Sequence, residues 1–290
     1  MIVDKIKNLK KISCLNNNSV FDSEIKDNFL PIYGAYHIFC SRNWKNLVKN
    51  QVNKLIKSEL YKYVNKIYVS VIYNEESDIK YLKNLLSDRF EIVIISQNPS
   101  DYEMPILNYI WEKSKSEDFF LFYFHTKGVS LNDSACDRYL LKHPHYNVSF
   151  DFMRDCNEKW RILMEYFQID KFNIAINSLN NGFNAYGVIY RLNNKGNHFS
   201  GNFWWASSKY IKTLPPINFL DYGRWNAEFW IGKGEDFKPY VPYNNLFDPY
   251  FIPIPSILYT KRKILFSDVT KVFKCYYYHF KLIVYGAIFK

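Results

Sequence analysis

Between Ala35 and His125 short apolar runs alternate with segments of helical periodicity, and that alternation leaves few folds open. AYHIFC (Ala35 to Cys40) is strand-like, then Trp44, Leu47, Val48, Val52, Leu55 and Ile56 recur at helical spacing before KIYVSVIY (Lys66 to Tyr73). A second amphipathic segment with Ile79, Leu82, Leu85 and Leu86 leads to EIVIIS (Glu91 to Ser96), and a third, Ile106 to Lys113, leads to DFFLFYF (Asp118 to Phe124). Strands separated by helices predict a mainly parallel sheet of α/β class with helices on both faces. Continuous apolar runs rather than alternating ones fit strands buried on both sides.

The second half has a different grain. A polar loop from Gly128 to Tyr146 precedes two helical patterns, Phe152 to Phe167 and Lys171 to Leu179. NAYGVIYR (Asn184 to Arg191) and GNFWWAS (Gly201 to Ser207) read as strands, and Lys209 to Leu214 as a short helix. Pro239 to Pro255 reads as an extended wrap, and no internal repeat is visible. The expected organisation is an N-terminal extension (1–32), one domain (33–260) with a first half over about 33–130 and a second over about 150–260, and a basic aromatic tail (261–290).

At 48% hydrophobic and 23% charged residues the chain is globular rather than disordered. Its formal charge of +10 points to an anionic partner. The lysines are dispersed and no nucleic-acid-binding motif occurs, so nucleic acid is not the expected partner. Five scattered cysteines, none in a C-x-x-C pair, indicate neither a disulfide framework nor a zinc cage and fit a reducing cytosol. No stretch reaches the roughly 20 apolar residues of a membrane span, so the expectation is a cytoplasmic protein, peripheral at a membrane through its tail. In that tail Lys271, Lys274 and Lys281 fall on one helical face and Phe273, Phe280, Val284 and Ile288 nearer the other, the pattern of a segment lying in anionic headgroups or packing on its own domain.

Three stretches carry chemistry. The fourth strand stops abruptly at His125, Thr126, Lys127 and Gly128. Strand ends in open α/β sheets deliver ligand-binding residues, a lysine there neutralises a diphosphate, and the glycine permits close backbone approach; a solvated turn is the alternative. HFSGNFWWASSKYI (His198 to Ile211) places Trp204 and Trp205 on opposite faces of a strand, one in the core and one free to stack on a sugar ring beside His198, Ser200 and Asn202, unless both are core. In RWNAEFWIGKGED (Arg224 to Asp236), Glu228 stands between Ala227 and Phe229, where desolvation favours a general base; a structural pair with Arg224 is the alternative.

The order AYHIFCSRNW, YEMPILNYIWE, FYFHTKG, WRILMEYF, AYGVIYR, HFSGNFWWASSKYIKTLP and RWNAEFWIG, covering Tyr33 to Gly232, resembles a group of glycosyltransferase-like proteins of surface-polysaccharide synthesis. The resemblance, most specific in HFSGNFWWA and AEFWIG, implies a GT-A-like Rossmann-type fold with a donor half followed by an acceptor half. Such enzymes carry an Asp-x-Asp metal motif after the fourth strand, where this chain has HTKG. Asp133 and Asp137 follow at another spacing, so either loop carboxylates complete a Mn²⁺ or Mg²⁺ site or Lys127 replaces the metal's charge. The family's acidic base near a helix start matches Glu228 by order.

The expected function is transfer of a sugar from a nucleotide-diphosphate sugar to a hydroxyl of a glycan or lipid-linked glycan, inverting, with Glu228 as base. Donor contacts are expected from His37, Cys40, Ser41, Arg42, His125, Thr126, Lys127 and Gly128, and acceptor contacts from His198, Ser200, Asn202, Trp204 and Trp205. The alternative is a glycan- or nucleotide-sugar-binding protein that has lost the metal motif.

Overall fold

The apolar run of the fourth predicted strand is strand β5 (Phe120–His125), and all six of its residues are buried. It pairs in parallel with β2 (Ile32–Phe39), β2 with β3 (Val64–Ile72), and β3 with β4 (Phe90–Ser96). The structure, a computed structural model, describes residues 13–15, 20–25, 29–129, 140–141, 148–192, 196–217, 224–260, 263 and 265–288. These fall into two compact units, one within Asn18–Val129 and Glu165–Pro242, the other within Met1–Asn17, Ser130–Met164 and Tyr243–Lys290.

The first unit holds a seven-stranded sheet. With β6 (Ala185–Gly187), β9 (Trp204–Ser207) and β10 (Pro239–Tyr240), its order is β10-β6-β9-β5-β2-β3-β4. Only β9 runs antiparallel to its neighbours, β5 and β6. The connections are α1 (Trp44–Ile56) from β2 to β3, α3 (Glu76–Leu85) from β3 to β4, and α4 (Met104–Ser114) from β4 to β5; a single-turn α2 (Leu60–Tyr63) precedes β3. The chain steps outward from β2 to β4 and then returns to the other side of β2. A right-handed crossover therefore puts α4 on the face opposite α1.

Side-chain alternation follows the same division. On one face Ala35, Leu121, Tyr123, Trp204 and Ala206 pack with Ile106, Leu107 and Ile110 of α4. The short helices α7 (Ser208–Ile211) and α8 (Arg224–Trp230) close that face through Tyr210, Ile211, Ala227 and Trp230. On the other face Tyr36 stacks on Phe124 with ring centroids 4.1 Å apart, and Phe122 meets Trp205 at 5.1 Å. There α6 (Phe172–Asn180) contacts β6 and β9.

NAYGVIYR forms two strands rather than one, β6 and β7 (Tyr190–Arg191), because Ile189 sits at φ 52° and turns the chain between them. β7 then pairs with β8 (His198–Phe199) in a separate hairpin.

In the second unit β1 (Ser13–Leu15) pairs antiparallel with β11 (Tyr243–Asn245). Most of α5 (Phe150–Glu165) belongs here, with Met153 and Phe251 fully buried against Phe150, Tyr250 and Leu282. The tail predicted as a helix is α9 (Phe266–Ile288). Among the described residues no helix is long and apolar enough to cross a membrane.

Gly34 is the tightest point between β2 and β5. A Cβ there would lie 2.6 Å from Phe122 Cζ, a ring already fully buried. Overpacking of this kind costs about 1–3 kcal/mol, so Gly34→Ala is expected to lower the melting temperature by several degrees. An unchanged melting curve would mean that Phe122 yields without cost.

Candidate functional site

The order of strand addition reverses between β2 and β5, which run parallel, so the carboxyl ends of these two strands flank the crevice where open α/β sheets bind ligands. Two hydrogen bonds tie those ends together: Thr126 N–H donates to His37 O (3.1 Å), and Phe39 N–H donates to Thr126 Oγ1 (3.0 Å). Lys127 N–H turns back onto His125 O at 2.8 Å, and Gly128 takes φ 89°, a conformation that suits glycine. The Lys127 side chain is thereby buried at the sheet edge.

Lys127 lines a small, solvent-open pocket with Glu103, His125, Gly201, Asn202 and Glu228. Four separate parts of the chain meet there. His125 Nε2 lies 3.0 Å from Gly201 O; a carbonyl only accepts, so Nε2 carries the hydrogen. Its Nδ1 is 3.7 Å from Glu103 Oε1, at the start of α4, where the helix dipole favours a carboxylate.

The Ser200–Gly201–Asn202 turn is wound through left-handed conformations, with φ 92° at Gly201 and 57° at Asn202, and Asn202 N–H bonds Phe199 O at 2.9 Å. Asn202 is 4% exposed, and its Oδ1 accepts from Trp204 Nε1 at 2.9 Å. The indole can only donate, which fixes the amide's orientation and leaves Nδ2 buried in the pocket wall with no hydrogen-bond partner among the described residues. Buried donors are rarely left so, and a ligand oxygen would satisfy this one. Tyr123 Oη is likewise buried and unpartnered; burial, and then the charge of Glu103, push its phenol well above the ordinary range.

Glu228 comes from α8, flanked by buried Ala227 and Phe229, and its side chain is 17% exposed. Its Oε1 lies 4.0 Å from His198 Nε2. Burial holds the His198 imidazole below its ordinary range, against the opposing pull of Glu228. The turn that follows α8 approaches Asn197 so closely that a Cβ on Gly232 would collide with Asn197 O. The side chain of Arg224 lies outside the described residues, as do Asp133 and Asp137.

The other expected residues lie elsewhere. His37 is inside the sheet, its Nδ1 2.8 Å from Ser70 Oγ. Cys40 is fully buried, and burial pushes its thiol up to about 12. Ser41 is half-buried and Arg42 exposed at φ 52°, in the turn that leads into α1. None of these four lines the pocket with Lys127, and neither do Thr126, Gly128, His198 and Ser200. Trp204 and Trp205 do point to opposite faces, yet both are buried, because helices cover the sheet on each side. Trp204 stacks on Tyr123 and Trp205 donates to Gln168 O at 3.1 Å, so neither ring face is open to a sugar.

Sequence reasoning missed two contributors. Glu103 opens the helix YEMPIL, after Tyr102 at φ 47°; its position before a proline-started helix is the signal that was there to read. Trp225, 56% exposed and one turn before Glu228, does not line the pocket; one of its ring faces stacks on Phe229 at 5.9 Å. Behind the pocket a buried chain, Tyr36 Oη to Gln51 Oε1 (2.8 Å) and Gln51 Nε2 to Glu165 Oε1 (3.0 Å), reaches the His125 carbonyl at 3.3 Å. Among the described residues no group of three or more His, Cys, Asp or Glu is placed to hold a metal ion.

No protein-family model matches the chain, and no curated protein matches it.

Burial lowers the His37 pKa from 6.5 to about 3. Below its unfolded value the unfolded chain takes up a proton that the folded chain refuses, so stability falls as pH drops from 6.5 towards 3. His37→Asn has nothing to protonate. The stability gap between parent and variant is therefore expected to shift over that window by up to about 1.4 kcal/mol per pH unit, as measured by urea unfolding at several pH values. Parallel curves would assign the acid lability to other groups.

Proposed function

We propose that this protein is a glycosyltransferase of the GT-A type, which moves a sugar from a nucleotide-diphosphate sugar to a hydroxyl of a glycan or lipid-linked glycan. The observation that carries the reading is the convergence of Lys127, Glu228 and the unpartnered Asn202 amide in one pocket at the carboxyl edge of the sheet. A cation for a leaving diphosphate and a carboxylate for an acceptor proton are the two groups that this chemistry needs.

In this reading the acceptor hydroxyl gives its proton to Glu228 as its oxygen attacks the anomeric carbon. The bond from that carbon to the diphosphate oxygen breaks with its electron pair, and Lys127 offsets the charge left on the phosphate. Attack from the face opposite the leaving group inverts the anomeric centre. Asn202 Nδ2 donates to a sugar or phosphate oxygen, and the His125 bond to Gly201 O holds the turn that presents it. His198, held neutral, orients Glu228 without competing for the proton.

The pocket is small and open to solvent on one side, so in this reading it receives only the reacting groups. The nucleotide then lies along the crevice at the ends of β2 and β5. Glu103, Glu228 and His125 line the pocket, but among the described residues no group of three or more His, Cys, Asp or Glu is placed to hold a metal ion, so the scheme routes no step through Mn²⁺ or Mg²⁺.

Release of nucleotide diphosphate from a panel of nucleotide sugars, with and without Mn²⁺, tests the reading directly. Binding without release across the panel would select the non-catalytic alternative. Lys127→Ala is expected to weaken nucleoside diphosphate about tenfold to a hundredfold in calorimetry while sparing the free nucleoside. Glu228→Gln is expected to bind donor normally and to lose about 10² to 10⁴ in turnover; near-parental transfer would remove Glu228 from the mechanism.

A further inference from the structure

Helix α9 has three sectors rather than two. Its inner sector is buried on its own unit: Asp268, Cys275 and His279 are at most 9% exposed, and Tyr276 and His279 pack on Phe247 at 5.5 and 5.3 Å. Asp268 also fixes the helix start, accepting from Leu265 N–H at 2.8 Å. The helix is therefore held in a defined rotation.

That rotation turns an apolar stripe outward. Phe266 is 90% exposed, Phe273 70%, Phe280 58%, Val269 57%, Ile283 55% and Tyr277 53%. At 100° per residue, Val269, Phe280, Phe273, Phe266 and Tyr277 fall within an arc of about 80°, and the stripe runs for about 21 Å. Isolated exposed apolar residues are ordinary, but a continuous row on one helix marks a contact surface.

The third sector is cationic. Lys281, Lys274 and Lys271 follow one another along one rim of the stripe, between it and the buried face. The only acidic residue from Leu265 to Val284 is Asp268, which is buried 3.9 Å from the Nζ of Lys271, so the exposed charge that this span itself contributes is positive. The lysines thus border the apolar residues instead of opposing them as the sequence pattern suggested, because the side opposite the stripe is occupied by the protein. The Ile288 side chain lies outside the described residues.

We infer that α9 is a membrane-docking surface that lies in an anionic lipid leaflet, its aromatic stripe among the upper acyl chains and its lysine rim at the phosphates. An apolar stripe alone would suit any hydrophobic groove; the one-sided lysine rim without exposed acid selects an anionic headgroup layer. The helix lies on the bilayer and does not cross it. This inference stands apart from the pocket and from the reading of its chemistry.

Co-sedimentation of the full chain with phosphatidylcholine vesicles, with and without phosphatidylglycerol, tests it. Binding is expected only with phosphatidylglycerol and to weaken with salt. Lys271→Gln with Lys274→Gln is expected to lower partitioning about thirtyfold, and Phe273→Glu with Phe280→Glu about a hundredfold. All four side chains are exposed, so both variants are expected to keep the parental circular dichroism. Equal binding to neutral vesicles, or binding that survives the phenylalanine changes, would overturn the inference. So would self-association in sedimentation equilibrium that Phe273→Glu abolishes while vesicle binding persists, since the stripe would then belong to a second copy.

Discussion

The pairing of β2 with β5 in the middle of the sheet is the constraint on which the pocket rests. It places His37 opposite His125, and the Thr126 hydroxyl and amide then lock the two strand ends together. A slip of one residue in this register would exchange the faces of every side chain in β5, turning Tyr123 and His125 away from α4 and the Gly201 turn. The Lys127 backbone is fixed by its N–H bond to His125 O at 2.8 Å. A long flexible cation thereby starts from a fixed point.

The pocket wall is stiffened from both sides of the sheet. From one side Trp204 holds the Asn202 amide, and from the other the chain Tyr36–Gln51–Glu165 reaches the His125 carbonyl. Each link is buried and hydrogen-bonded, so moving one member exposes the next to an unmet bond. The unpartnered atoms are confined to a few positions, with Asn202 Nδ2 in the pocket wall itself. The left-handed backbone at Asn202 is a conformation that the surrounding bonds sustain, while Gly201 adopts its own without strain.

The aromatic content divides by environment rather than by residue type. Trp204 and Trp205 are interior because each face of β9 is covered, whereas Trp225 on the short α8 and the phenylalanines of α9 remain open. Ring faces suited to a sugar or a lipid are thus on the peripheral helices. The adjacent tryptophans are packing residues whose indole N–H groups are spent on Asn202 and Gln168.

The sequence by itself determined the order of strands and helices from Ala35 to His125, because a run of six buried apolar residues and a heptad-like spacing are local properties. It also located the break at HTKG, and it singled out Asn202 and Glu228 as polar residues in apolar settings. Tertiary structure decided which of these meet. Glu103 and Glu228 are over a hundred residues apart and share a pocket only because α4 returns across the sheet while α8 closes on the β7–β8 hairpin side. Periodicity reports that one face of an element is apolar, but not whether the opposite face is covered as well; for that reason the fate of the two tryptophans, and the three sectors of α9, could be read only from the packed molecule.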